Sequence, residues 1–196
     1  MASDIELKQF SGGSYNNNVY MLVDPESNES VVFDAPLDVE RVIRDLDGTS
    51  IKYILMTHCD ADHVTVLKEL KRATSAPIGV HPAEADRLPV AADFELHDGQ
   101  EIPLGPHTIR ALATPGHSPG GMSFLVDDIL IGGDTLFPGG PGNTKRPDGD
   151  FDQIIDSIRT KLMVLPDNTR VFPGHGSPTT IGEEKTHLQE WIDRGW

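Results

Sequence analysis

The apolar positions of the chain fall into short runs separated by glycine-, proline- and aspartate-rich breaks, and the period within each run predicts an element. Residues 5–10 alternate as a strand does, with Ser11-Gly12-Gly13-Ser14 as the turn after it. Residues 18–23 and 30–34 predict a hairpin with Asp24-Pro25-Glu26-Ser27-Asn28 as its loop. Asp38 is placed to cap a short helix with Val39, Val42, Ile43 and Leu46 on one face, ending near Gly48. Residues 51–56 are almost unbroken apolar, the pattern of a buried strand, and residues 64–73 predict a helix. A strand over 78–80 follows, then a helix opened by Pro82 and running through Leu88.

In the second half, residues 101–104 and 108–113 predict paired strands. Residues 122–126 and 129–131 flank an Asp127-Asp128 turn. Residues 137–149 form a long loop of the kind that lines binding sites. Asp150 or Asp152 is placed to cap a helix bearing Ile154, Ile155, Ile158 and Leu162. Residues 170–172 predict a strand and 183–191 a terminal helix. No linker, low-complexity segment or tandem repeat divides the chain, so a single α/β domain over residues 1–196 is expected.

One arrangement recurs. An apolar strand runs into a polar or glycine-rich turn carrying a histidine or aspartate, at His58, His117, Asp134 and His175. Side chains at strand ends share one edge of a sheet, where ligand sites of open α/β sheets form. The densest turn, Thr57-His58-Cys59-Asp60-Ala61-Asp62-His63, packs four imidazole or carboxylate ligands into six residues, the donor types that hold zinc, iron or manganese. A lone histidine in a turn is ordinarily structural; four such turns in one chain point to a shared metal centre.

Composition narrows the partners. Sixteen Lys and Arg against 31 Asp and Glu give a net charge of −15, whose field repels nucleic acid and anionic membranes. The substrate expected is therefore a small molecule. One cysteine allows no internal disulfide. The first residues show neither a basic nor an apolar leader region, and no apolar run approaches the roughly 18 residues of a membrane span, so a cytoplasmic protein is expected.

Taken in order, these motifs resemble the metallo-β-lactamase-fold superfamily, whose hallmark is His-x-His-x-Asp-His, a separate His, an Asp and a last His. Within it, Thr114–Gly121, Gly133-Asp134-Thr135-Leu136-Phe137 and Pro173-Gly174-His175-Gly176, with Thr179-Thr180-Ile181-Gly182-Glu183-Glu184, are most similar to short bacterial glyoxalase II-like hydrolases. The resemblance implies a four-layer αββα sandwich and two divalent metal ions, zinc first, with iron or manganese as alternatives. It assigns His58 and His117 to the first metal, Asp62, His63 and His175 to the second, and Asp134 as the bridge. It also implies hydrolysis of a thioester or related ester or lactone by a hydroxide that Asp62 orients. The long glyoxalases II carry a glutathione-holding helical region that the 21 residues after His175 do not provide.

The departure is Asp60, where the hallmark has its second His. It leaves three possibilities: direct ligation of the first metal, ligation through water, or an unfilled position. A carboxylate there shifts preference from zinc toward iron or manganese. Where the family loop has Gly-Arg-x-Asp this chain has Gly142-Asn143-Thr144-Lys145-Arg146, and Lys145 and Arg146 are either holders of a substrate carboxylate or phosphate, or solvated loop cations. Tyr15 and Asn16-Asn17-Asn18 either border the cleft or belong to the hairpin. Cys59 has no second cysteine motif to support a nucleophilic role. Iron-dependent persulfide dioxygenases are also similar: their turn reads Thr-His-Cys-His-Ala-Asp-His, differing from this one only at position 60, and counterparts of His58, His117 and Asp134 hold their iron. A third reading is a binding module in which Asp60 disables the centre. Absence of an export signal argues against a true β-lactamase.

Overall fold

The computed structural model describes residues 5–195. Two six-stranded sheets carry the molecule. The first takes β1 (Glu6–Gly12), β2 (Asn17–Asp24), β3 (Glu29–Phe33), β4 (Ser50–Leu55), β5 (Ile78–Val80) and β6 (Phe94–Glu95) in sequence order. Its first three strands are antiparallel and β3 through β6 are parallel. The second sheet contains β7 (Glu101–Leu104), β8 (His107–Ala113), β9 (Met122–Val126), β10 (Ile129–Gly133), β13 (Arg170–Pro173) and β14 (Thr179–Thr180), in the order β14-β13-β10-β9-β8-β7. A small hairpin of β11 (Leu136–Phe137) and β12 (Gly140–Pro141) interrupts the loop between β10 and β13.

Period-two alternation sorts the side chains into three cores and so fixes the layers. On β2, Val19, Met21 and Val23 face one way, onto Val42 and Leu46 of the α1 (Val39–Asp45) segment and Leu67 and Leu70 of α2 (Leu67–Thr74). Tyr20 and Leu22 face the other way and meet Ile109, Phe124 and Ile131 of the second sheet. On that sheet Leu130 and Val171 turn outward onto Ile154, Ile158 and Leu162 and onto Trp191. Those residues belong to α3 (Phe151–Ser157), the wider helical turn Ile158–Leu162 that continues it, and α5 (Leu188–Arg194); α4 (Ile181–Lys185) precedes α5. Helices, sheet, sheet, helices: this is the expected αββα sandwich. No helix among the described residues is long and apolar enough to cross a membrane.

The strands fall close to their sequence-based bounds, and Asp38 and Asp150 both cap their helices by accepting the third backbone N–H. The differences are local. The helix expected from residue 64 begins at Leu67, because the His63 carbonyl and the Val66 N–H are held by the backbone of Ala35. The segment after Pro82 is a 3₁₀ helix, Pro82–Arg87. The terminal helix is two helices, and the two-residue strands β6, β11, β12 and β14 are too short to leave a period in the sequence.

Candidate metal centre

Strands β8, β10 and β13 run in one direction, since antiparallel β9 lies between β8 and β10, while β10 and β13 pair in parallel. Their ends therefore deliver His117, Asp134 and His175 to one rim of the second sheet. The turn after β4 delivers His58, Asp60, Asp62 and His63 from the first sheet, so the ligand set spans two sheets rather than one edge of a single sheet. The two rims are tied directly, by Met122 N–H donating to the Thr57 carbonyl at 2.7 Å and Asn18 N–H donating to the Gly174 carbonyl at 2.8 Å. Glu84, fully buried, strengthens the tie: it accepts from the Cys59 N–H at 3.1 Å and from the Gly120 N–H at 3.0 Å, joining the His58 and His117 turns.

Each histidine is oriented by its other ring nitrogen. His63 Nδ1 lies 2.9 Å from Asp34 Oδ2, His117 Nδ1 lies 2.8 Å from the Asn143 carbonyl and His175 Nδ1 lies 2.9 Å from the Tyr15 carbonyl. All three partners only accept, so each Nδ1 donates and each Nε2 carries a lone pair toward the centre. His58 Nδ1 lies 3.0 Å from Thr57 Oγ1, whose own proton goes to Asp34 Oδ2 at 2.7 Å; Nδ1 is again the donor. This common tethering of imidazoles by outer hydrogen bonds is the habit of metal ligands.

Around the second position the donors stand at coordination spacing. His63 Nε2 and His175 Nε2 are 3.2 Å apart, His175 Nε2 is 3.3 Å from Asp134 Oδ2 and 3.5 Å from Asp62 Oδ2, and His63 Nε2 is 3.6 Å from Asp134 Oδ1. Two nitrogens about 2.0–2.1 Å from a tetrahedral zinc lie about 3.3 Å from each other. Two lone pairs facing at that distance repel unless a cation or a proton stands between them. Asp134 also lies 3.7 Å from His117 Nε2, so it alone reaches both halves of the set. Burial pushes its carboxyl up, but the adjoining His175 ring, with His63 and His58, outweighs that and holds it well below the usual carboxylate range. Asn17 Nδ2 donates to Asp62 Oδ2 at 2.9 Å, and Tyr15 supplies its carbonyl to His175; of the Tyr15–Asn18 segment, Tyr15 and Asn17 thus orient candidate ligands.

The first position is different. His58 Nε2 and His117 Nε2 stand 3.6 and 3.3 Å from Asp60 Oδ2. The Arg146 guanidinium, however, grips both Asp60 oxygens: Nη1 makes a very short contact to Oδ2 and Nη2 lies 2.7 Å from Oδ1. Nη1 is also 3.0 Å from His117 Nε2, while Nε and Nη2 donate to Asp148. All five guanidinium N–H groups are thereby engaged within the protein, so Arg146 is neither the free anion holder nor the solvated loop cation that the sequence allows. Lys145 is exposed on the same loop. Burial pushes the Asp60 carboxyl up, and the Arg146 guanidinium, with the His117 and His58 rings beside it, more than reverses that and holds it well below the usual carboxylate range. The Cys59 thiol is 4% exposed and its pKa is driven up by burial and by Glu84 and Asp34, which removes it as a nucleophile.

Two observations bear on whether a metal fits. His58 Nε2 and Asp134 Oδ1 are buried polar atoms without a hydrogen-bond partner, both aimed into the cluster; such atoms are rare unless something else binds them. A Cβ added to Gly174 would stand 2.2 Å from Asp134 Oδ1 and 2.7 Å from His63 Cε1, so only glycine leaves these two ligands in place. The second position fits a divalent cation. Gly174→Ala is expected to weaken metal binding about 10–100-fold, the effect of disturbing a ligand's support, in a competition titration with a chromophoric chelator. Unchanged affinity would show that the cluster tolerates displacement and is not a tuned metal site.

Asp34 and Glu84 were not singled out by sequence reasoning. Asp34 follows the apolar run Val31-Val32-Phe33 directly, at φ 56°, and an aspartate at such a strand end is the signal that was there to read.

Comparison with known proteins agrees with this geometry. The Metallo-beta-lactamase superfamily profile matches residues 12–175. The hydroxyacylglutathione hydrolase GloC of Haemophilus influenzae is 33% identical over 194 residues, covering 88% of this chain and 91% of that protein. The mitochondrial persulfide dioxygenase ETHE1 of Bos taurus is 32% identical over 181 residues, covering 85% of this chain and 68% of that one. Among solved structures, the BLEG-1 B3 metallo-beta-lactamase superposes with a TM-score of 0.86 at 30% identity, covering 93% of this chain and 98% of that one. With its ordered motifs, its αββα layers and its convergent imidazoles and carboxylates, the chain belongs to the metallo-beta-lactamase superfamily.

Proposed function

We propose that the protein is a metal-dependent hydrolase of the glyoxalase II-like kind, cleaving a thioester or a related ester or lactone of a small molecule, with zinc as the first candidate metal. The observation that carries this reading is the pair of facing nitrogens, His63 Nε2 and His175 Nε2, at 3.2 Å with Asp134 beside them. Similarity to the hydrolase GloC supports the reaction class. A divalent cation held there supplies Lewis acidity and brings the pKa of water down to about 7. The chain's own part is positional. Asp62, whose side chain is 31% exposed, is the most open carboxylate of the set and takes the water-orienting role, with Asn17 fixing its Oδ2. Thr57, Asp34 and Tyr15 keep the rings from turning. A pocket of about 220 Å³ lined by Pro141, Gly142, Asn143, Thr144 and Lys145 lies on the loop that carries the His117 tether, and is suited to the substrate's non-reacting end, with Lys145 facing an anionic group on it.

The second reading is a persulfide dioxygenase, favoured by the similarity to ETHE1 and by the grouping of His58, His117 and Asp134. One experiment separates the two: elemental analysis of protein purified from unsupplemented medium, with assays of acyl-glutathione thioester hydrolysis and of oxygen uptake on glutathione persulfide. Zinc or manganese with thioester turnover is the expected result. Iron with oxygen uptake and no hydrolysis would overturn it.

A further inference from the structure

Asp60 departs from the family hallmark, and the structure supplies its partner. We propose that the Arg146 guanidinium takes the place of the first metal, so that the centre holds one divalent cation, at Asp62, His63, Asp134 and His175, beside a fixed organic cation. This rests on the metal-centre part of the functional reading and not on the reaction.

Several observations support it. Both Asp60 oxygens are bound by one guanidinium in the two-pronged geometry that carboxylates form with arginine. The same Nη1 lies 3.0 Å from His117 Nε2, on the lone pair that a first metal would need. Arginine cannot be relieved of its charge near neutral pH, so a second dication at this position would face an undiminished positive charge at contact distance.

The guanidinium is also anchored from behind. Asp148 receives Arg146 Nε at 2.7 Å and makes a very short contact with Arg87, and Arg87 Nη1 lies 3.6 Å from Asp60 Oδ1 and 3.2 Å from buried Glu84. Asp60, Arg146, Asp148 and Arg87 thus close a ring of alternating charge, which neutralises the extra carboxylate without a metal. At the second position, by contrast, the ion pairs of Asp62 and Asp134 among the described residues are to histidines alone. No lysine or arginine pairs with either carboxylate there among the described residues. His58 Nε2, unpartnered beside the ring, remains as an acceptor facing the same space.

The test is metal stoichiometry, read without substrate. Protein loaded with excess zinc and desalted is analysed for metal per chain, and cobalt(II) titration is followed by its visible absorption. Wild type is expected to take up one equivalent. Asp60→Asn should also retain one, because Asp60 is not a ligand. Arg146→Gln should rise to two, because the freed Asp60 joins His58 and His117 as a two-histidine, one-carboxylate set. Two equivalents in the wild type, loss of the single ion in Asp60→Asn, or a folded Arg146→Gln that stays at one would each overturn the proposal. Should Arg146→Gln fail to fold, the first two measurements still decide. A one-metal protein inactive on thioesters would refute the hydrolase reading and leave this one standing.

Discussion

Asp134→Ala is expected to lower kcat/KM for acyl-thioester hydrolysis by about 10³-fold or more, the loss of several kcal/mol of cation-based stabilisation, while the chain stays folded. Asp134 reaches His63, His117 and His175 within 3.6, 3.7 and 3.3 Å, a span no other carboxylate of the cluster has. It sits on the turn after β10, outside the three apolar cores, so its loss opens no cavity in them. Its Oδ1 has no hydrogen-bond partner, so truncation strands no donor that relied on that oxygen. The readouts are activity, metal content and the thermal transition of the same preparation. A folded variant that keeps its metal and its rate would remove Asp134 from the centre, and with it the proposed chemistry.

Asp34→Ala should act on both stability and metal. The carboxylate is 4% exposed and accepts from Thr57 N–H at 2.7 Å, Thr57 Oγ1 at 2.7 Å and His63 Nδ1 at 2.9 Å. Truncation leaves those buried donors without an acceptor, at about 1–3 kcal/mol for each unsatisfied group. A net loss of about 3 kcal/mol after relaxation corresponds to a fall in Tm of about 6–12 °C in a domain of this size. Metal affinity should drop about 10–100-fold, since His63 and, through Thr57, His58 lose their orientation.

The effect carries a pH signature in chelator-treated protein. Burial pushes the His63 imidazolium down, but the hydrogen bond and charge of Asp34, with Asp134 and Asp62, outweigh it and raise its pKa to about 9. A raised imidazole stabilises the fold fully below the unfolded value of about 6.5, and that contribution is lost as pH rises through the folded value. The Asp34→Ala penalty should therefore be largest below about pH 6.5 and smaller above about pH 9. Denaturant titrations at both ends measure it. A penalty independent of pH would mean that Asp34 supports the fold through Thr57 alone.

The candidate ligands were legible because their signals are local. A strand's apolar period stops where its turn begins, and a histidine or aspartate at that stop is visible in a single line of sequence, as at His58, His117, Asp134 and His175. The three cores follow from the same alternation, residue by residue along β2, β10 and β13. The two-residue strands left no trace because a period needs several residues to declare itself. α2 starts three positions later than the apolar period predicts, because a long-range backbone contact with Ala35, rather than propensity, sets it.

By itself, then, the sequence determined the layered α/β frame and the chemical identity and order of the residues at its rim. Only the tertiary structure decided what those residues meet. Asp60 and Arg146 are 86 positions apart, Asp34 lies 29 from His63, and Glu84 stands between two turns from different sheets. Periodicity and spacing report the backbone near a residue. Which loop cation settles on which carboxylate depends on where two separate sheets bring their edges together, and on the cost of leaving a buried charge unmatched.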